Sequence, residues 1–138
     1  MQFKKLSSVA FLPERAHPGD SGLDLRALGQ YELPPNVPVH ISTGIACAFP
    51  PGHEGQIRPR SSLSRAGIHI CFGTIDNGYR GDLGVIAINL NTTWRTVNFG
   101  DKIAQLVVVP IATPEVEEVT EFDNTTSRGD KGWGSTGA

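Results

Sequence analysis

Two side chains capable of chemistry stand on either side of one tight turn. Asp76 and Tyr79 flank Asn77-Gly78 within the stretch Gly73-Thr74-Ile75-Asp76-Asn77-Gly78-Tyr79-Arg80-Gly81-Asp82. Asn-Gly is a strong hairpin signal, because both central residues of a type I′ turn need φ > 0. Thr74 and Ile75 read as the incoming strand. Leu83 to Leu90 reads as the outgoing one, apolar on both faces, as expected of a strand covered on both sides. A rigid turn would fix the carboxylate and the ring relative to each other, which is the geometry of a small pocket.

Three further stretches offer polar chemistry. In Pro59-Arg60-Ser61-Ser62-Leu63, an Arg and two hydroxyls at a strand-to-helix junction suit a phosphate, since backbone N–H groups at a helix start favour an anion. An ordinary Ser N-cap would look the same. The C-terminal run Arg128-Gly129-Asp130-Lys131-Gly132-Trp133-Gly134-Ser135-Thr136-Gly137 combines glycines, cations, hydroxyls and one aromatic, a composition that fits a flap over a nucleotide or a disordered tail. Its formal G-x-G-x-x-G lacks the preceding strand and following helix of a dinucleotide fingerprint. Gln105 interrupts an apolar strand and is either satisfied by backbone or in contact with a ligand. Asp24 reads equally as a turn residue. His17, His40, His53 and His69 have no H-x-x-H or H-E-x-x-H spacing, and with Cys47 and Cys71 they form no protein-ligated metal motif. No G-x-S-x-G is present.

These groups must be positioned by one domain. The chain has 138 residues, with 16 Gly, 10 Pro and 38% apolar residues, and no long amphipathic helical pattern. Short strands joined by Gly/Pro turns predict an all-β sandwich or barrel. Strands are expected at Phe3 to Leu6, Leu23 to Ala27, Val37 to Ile41, Gly44 to Phe49, Gln56 to Arg60, Asp101 to Val109 and near Glu115 to Val119, with one short helix at Ser61 to Ala66. Residues 1–123 form the β domain; residues 124–138 form a polar, Gly-rich arm expected to be mobile. A net charge of −2 steers the molecule toward neither nucleic acid nor membrane. The apolar run Val9 to Leu12 is too short for a signal segment, and no run approaches a membrane span, so a soluble cytoplasmic protein is expected. Two cysteines 24 residues apart read as free thiols rather than a disulfide.

Each signal is weak alone; their order is specific. Ser21-Gly22-Leu23-Asp24-Leu25, Pro59 to Leu63, Gly73 to Gly81, Gly100-Asp101-Lys102-Ile103-Ala104-Gln105-Leu106 and Arg128 to Gly137 together resemble the five ordered motifs of the trimeric dUTP pyrophosphatase (dUTPase) family. The resemblance implies a distorted jelly roll assembled as a homotrimer, with active sites at subunit interfaces, acting on dUTP with Mg²⁺ carried by the triphosphate and waters. It implies that Asp76 deprotonates the water that attacks the α-phosphorus, and that Tyr79 packs on the deoxyribose and leaves no room for a 2′-OH. Backbone and side chains of Ile70, Gly73, Thr74, Ile75 and Gly84 would surround the nucleoside. Arg60, Ser61 and Ser62 would hold phosphates, with Gln105 nearby and Asp24 shaping the site indirectly. Arg128, Trp133, Ser135 and Thr136 would close over the nucleotide from a neighbouring subunit.

Three positions depart from the family pattern. Ser62 stands where many members have Gly, Trp133 replaces a more usual Phe, and Ile70 stands where some members use an Asn on the base. Arg60 to Leu63 is also similar to the sister family of dCTP deaminases. That chemistry needs a Glu on the strand after the turn, where Ile86 stands. A nucleotide-sensing regulatory trimer is the other alternative. A viral member of the family would work in the host cytoplasm.

Overall fold

The computed structural model describes residues 1–122, Thr126, Gly129 and Asp130. Among them run β1 (Gln2–Lys5), β2 (Gly22–Arg26), β3 (Tyr31–Leu33), β4 (Pro38–Ile41), β5 (Ile45–Ala48), β6 (His53–Arg58), α1 (Ser61–Arg65), β7 (Ile68–Ile70), β8 (Gly73–Ile75), β9 (Val85–Asn89), β10 (Arg95–Val97) and β11 (Lys102–Pro110). The all-β prediction with a single short helix holds. β3 and β10, three residues each, pair with each other and were not legible as strands, because so short a run shows no period.

The strands form a four-stranded sheet, β2-β11-β6-β8, a three-stranded sheet, β4-β9-β7, and two pairs, β1-β5 and β10-β3. Every named pairing is antiparallel. Each strand turns alternate residues inward, so Leu25, Leu33, Ile41, Ile45, Ile57, Ile70, Leu83, Val85, Ile103 and Leu106 meet in one core at 2% exposure or less. Asn89 is buried with them; its amide donates to Leu33 O (2.9 Å) and Thr93 O (2.8 Å), and its carbonyl accepts from Asn91 N (3.0 Å). That amide is satisfied and ties two connections to the core.

Three expectations are corrected. Gly73–Ile75 and Val85–Asn89 do not pair as a hairpin: β8 adds to β6, and β9 runs between β4 and β7. The intervening turn closes with Tyr79 N donating to Asp76 O (3.0 Å), yet neither Asn77 nor Gly78 has a positive φ, so the turn is not type I′. The physical reason is the Asn77 side chain, whose amide is engaged elsewhere. The outgoing strand is covered on one face only: Val85, Ala87 and Asn89 are buried, whereas Ile86 is 45% exposed. No strand forms at Glu115 to Val119; the described chain beyond Pro110 has no regular structure, because no free strand edge of the same subunit pairs with it. The arm expected at 124–138 lies outside the described residues apart from Thr126, Gly129 and Asp130.

Candidate active site

The turn that carries Asp76 and Tyr79 is anchored by side chains on both sides. Asn77 Nδ2 donates to Pro50 O (2.7 Å) and His53 O (2.9 Å), with Phe49 O at 3.4 Å, which ties the turn to the connection between β5 and β6. Downstream, Asp82 Oδ1 accepts from Thr43 Oγ1 (3.1 Å) and Ile45 N (3.2 Å). Tyr79 OH donates to Asp82 O (3.2 Å), and its ring folds over Gly81, where a Cβ would collide with the hydroxyl. The phenol ring is therefore pinned while remaining 46% exposed.

Asp76 is exposed and makes no side-chain hydrogen bond or ion pair with the described residues. It opens into a groove of about 270 Å³ lined by His40, Thr74, Ile75, Asp76, Tyr79, Asp82, Gly84 and Ile86. A smaller recess of about 80 Å³ adjoins it, lined by Ile57, Cys71, Phe72, Gly73, Ile75, Gly84 and Ile86. Ile75, Gly84 and Ile86 belong to both. One end of the combined cleft is polar and carries the carboxylate and the ring; the other is a narrow apolar slot beside the Gly73 backbone. A larger concavity of about 630 Å³ runs along β1 and β5, lined by Gln2, Phe3, Lys4, Ala46, Cys47, Ala48 and Arg80. It contains no carboxylate and none of the expected site residues, so chemistry rather than size selects the Asp76 groove.

The phosphate candidates form a second cluster. β11 lies between β2 and β6, and Gln105 faces Asp24 on one side and Arg58 on the other. Asp24 is a strand residue, not a turn residue, with its side chain only 12% exposed. Its Oδ1 accepts from Arg60 (2.7 Å), and Oδ2 lies 2.7 Å from Lys102 Nζ, an ion pair that lacks hydrogen-bond alignment. A mostly buried carboxylate between two cations fixes where the Arg60 guanidinium points. Gln105 Nε2 donates to Pro59 O (2.8 Å), holding the strand-to-helix junction, and its side chain covers Gly22, where a Cβ would strike Oε1. The N-cap of α1 is Arg60, without any side-chain cap. Ser61 and Ser62 are thus exposed first-turn residues, and the Ser N-cap alternative does not apply.

Of the expected residues, Asp76, Thr74, Ile75, Tyr79 and Gly84 share the groove, and Gly73 lies in the adjoining slot. Arg60, Asp24 and Gln105 gather around the junction before α1, and neither Arg60, Ser61, Ser62 nor Gln105 lines the groove. Ile70 is 1% exposed in the core, so only its backbone is left to meet a ligand. Arg128, Trp133, Ser135 and Thr136 lie outside the described residues. His40 was missed: metal spacing was the only test put to it, whereas a polar residue between Val39 and Ile41 on an alternating strand was the available signal. Both cysteines are free. Among the described residues, no group of three or more His, Cys, Asp or Glu side chains is arranged to hold a metal, and no helix is long and apolar enough to cross a membrane.

A β fold with a carboxylate-and-tyrosine cleft and a separate Arg-centred cluster defines a class of nucleotide-handling barrels, and comparison with known proteins narrows it. The dUTPase family model matches residues 9–137, and the chain belongs to that family. It is 46% identical to the deoxyuridine 5'-triphosphate nucleotidohydrolase of Gloeothece citriformis, over 99% of this chain and 96% of that protein. It is 45% identical to the protein of the same name from Vaccinia virus (strain Copenhagen), over 99% and 92%. Among solved structures, the Staphylococcus bacteriophage 80alpha dUTPase with dUPNHPP superposes with a TM-score of 0.89 at 33% identity, covering 99% of this chain and 98% of that one.

Proposed function

We propose that this chain hydrolyses dUTP to dUMP and pyrophosphate by attack of water on the α-phosphorus. The observation that carries the reading is the sharing of one groove by an unpaired Asp76 carboxylate and a pinned Tyr79 ring, continuous with an apolar slot. The substrate follows from the relatives' names and from the dUPNHPP bound to the phage 80alpha enzyme.

Each residue has a physical task in this reading. A general base must lie within hydrogen-bond reach of its water, and Asp76, with no partner in the fold, has both oxygens available. The flat ring of Tyr79 abuts the sugar and leaves no space for a 2′-OH. The slot beside Gly73, Thr74 and Ile75 reads the uracil edge through backbone groups, with Ile70 contributing its backbone alone. Arg60, held by Asp24, neutralises phosphate charge together with the hydroxyls of Ser61 and Ser62, and Gln105 keeps the junction in place. Arg128 and Trp133 close over the γ-phosphate and the base, and Ser135 and Thr136 meet the phosphates. Closure excludes bulk water until the complex is complete.

Phosphoryl transfer depends on charge neutralisation and in-line placement. Mg²⁺ suits the donor set: the described residues offer no cluster of protein ligands, which fits an ion held by the triphosphate and waters. When bound, it neutralises phosphate oxygens and orients the α-phosphorus. A phage phi11 dUTPase coordinates a structural Mg(II) ion, which supports a cation-dependent family chemistry. The separation of the Asp76 groove from the Arg60 cluster supports a homotrimer in which neighbouring subunits complete each site. Such an enzyme keeps uracil out of DNA and supplies dUMP for dTMP synthesis, in the cytoplasm of a cell or of an infected host. The deaminase alternative is disfavoured, since Ile86 brings no carboxylate to the groove.

The test is a panel of dUTP, UTP, dCTP and dTTP with Mg²⁺, scoring pyrophosphate and ammonia. Pyrophosphate from dUTP alone is expected, and Asp76→Asn should bind dUTP normally but lose turnover by at least ~100-fold. Ammonia from dCTP, or unchanged pyrophosphate release by Asp76→Asn, would overturn the assignment.

A further inference from the structure

The geometry points to His40 as a specificity-determining residue that hydrogen-bonds the 3′-hydroxyl of the nucleotide sugar, an inference that rests on the nucleotide-hydrolase reading of the same groove. His40 is the cross-strand partner of Ile86 in the β4-β9 ladder, so the two side chains rise on the same face of the sheet and both line the groove. The imidazole lies against Gly84, where a Cβ would collide with His40 Nε2. Glycine next to a strand commonly marks a close approach; here what approaches is the ring that forms the groove wall. No described residue accepts from or donates to that ring. The structure itself therefore gives the imidazole no hydrogen-bonding task.

Position along the cleft decides what His40 would meet. Gly84 and Ile86 are common to both parts, but His40 belongs only to the part with Asp76, Tyr79 and Asp82. The base occupies the apolar slot and the reacting phosphate must reach Asp76, so the sugar spans the stretch between them. A 2′-deoxyribose offers a single hydroxyl, on C3′. A neutral imidazole has one donor and one acceptor nitrogen, so it can satisfy that hydroxyl in either sense. Tyr79 then tests the 2′ position by contact and His40 the 3′ position by hydrogen bonding.

The test compares wild type, His40→Val and His40→Gln on dUTP and on 2′,3′-dideoxyuridine triphosphate. Loss of one hydrogen bond predicts that His40→Val lowers kcat/KM for dUTP by about three- to tenfold while leaving the dideoxy analogue unchanged. The preference for the 3′-hydroxyl should shrink by the same factor, and Gln, which keeps a polar amide, should recover part of it. An equal loss on both nucleotides would make His40 a mere wall, and no loss on either would remove it from the site; each result overturns the proposal. His40 is exposed, so all variants should melt with the wild type. If the wild type releases no pyrophosphate from dUTP, the hydrolase reading fails separately. Equilibrium binding of the two nucleotides then tests His40 by the same ratio.

Discussion

At the residue scale, the Cys47 thiol illustrates how the β1-β5 pair sets chemistry away from the active site. Burial pushes its pKa up from an ordinary 9.0 to about 11, outweighing the lowering by the N-terminal amine and Arg80. A raised pKa means that the folded state keeps a proton the unfolded chain releases. Its contribution to stability is whole below about pH 9 and is lost as the pH climbs to about 11. Because the thiolate is the nucleophile, a two-unit rise leaves about a hundredfold less reactive species at pH 8. Iodoacetamide at pH 8 should therefore label half-buried Cys71 well before Cys47, which is 2% exposed, as read by peptide mass mapping. Equal labelling of the two in native protein would contradict this. The same scale shows what single residues concealed: Asp24 looked like a loop acid, and only its cross-strand placement opposite Gln105 makes it the counter-ion of Arg60.

At the scale of elements, the Asp76–Tyr79 turn depends on Asn77 more than on its own backbone. The Asn77 amide donates to carbonyls of the β5-β6 connection, so a neighbouring loop sets the height of the turn. Asn77→Asp replaces that donor with a carboxylate facing Pro50 O and His53 O. The expected cost is about 1–3 kcal/mol, with dUTP turnover reduced about tenfold or more as Asp76 shifts. Asn77→Ala, which removes the donor without adding repulsion, should do less. Thermal melting and pyrophosphate release measure both, and an Asn77→Asp variant as active as wild type would show that the turn holds its own shape. This residue also marks the limit of what the sequence discloses about elements. Strands bounded by Gly and Pro were legible within a residue or two, because turn formers punctuate them and alternation points one face inward. The Asn77-Gly78 pair carried the strongest turn signal, and a turn is there. Its type and the hairpin were wrong, because a long-range side-chain hydrogen bond overrode local φ preference, and pairing partners leave no mark in a short apolar run. His40 was hidden for the same reason, since its role comes from lying opposite Ile86.

At the scale of the whole molecule, the described chain looks incomplete. From Ile111 to Phe122 it forms no strand; Ile111 N donates to Gly52 O (2.9 Å), and beyond it Val116 is fully exposed and Phe122 88% exposed. Apolar side chains spaced along an exposed extended segment suit an edge supplied by another copy. The failure of the strand expected near Glu115 to Val119 is then a failure to pair within one subunit. The Asp76 groove likewise lacks the Arg60 cluster it needs. Both points fit the proposed trimer, with residues 111–122 holding subunits together and residues 124–138 serving the chemistry. Two truncations separate those tasks. A chain ending after Asp123 should retain the mass of three subunits by light scattering, yet lose pyrophosphate release by about a hundredfold, because charge neutralisation and closure are missing. A chain ending after Pro110 should lose the assembly as well and expose the groove without its second half. A fully active Asp123 truncation would refute the arm, and a Pro110 truncation that remains trimeric would show that the 111–122 segment does not hold the subunits together.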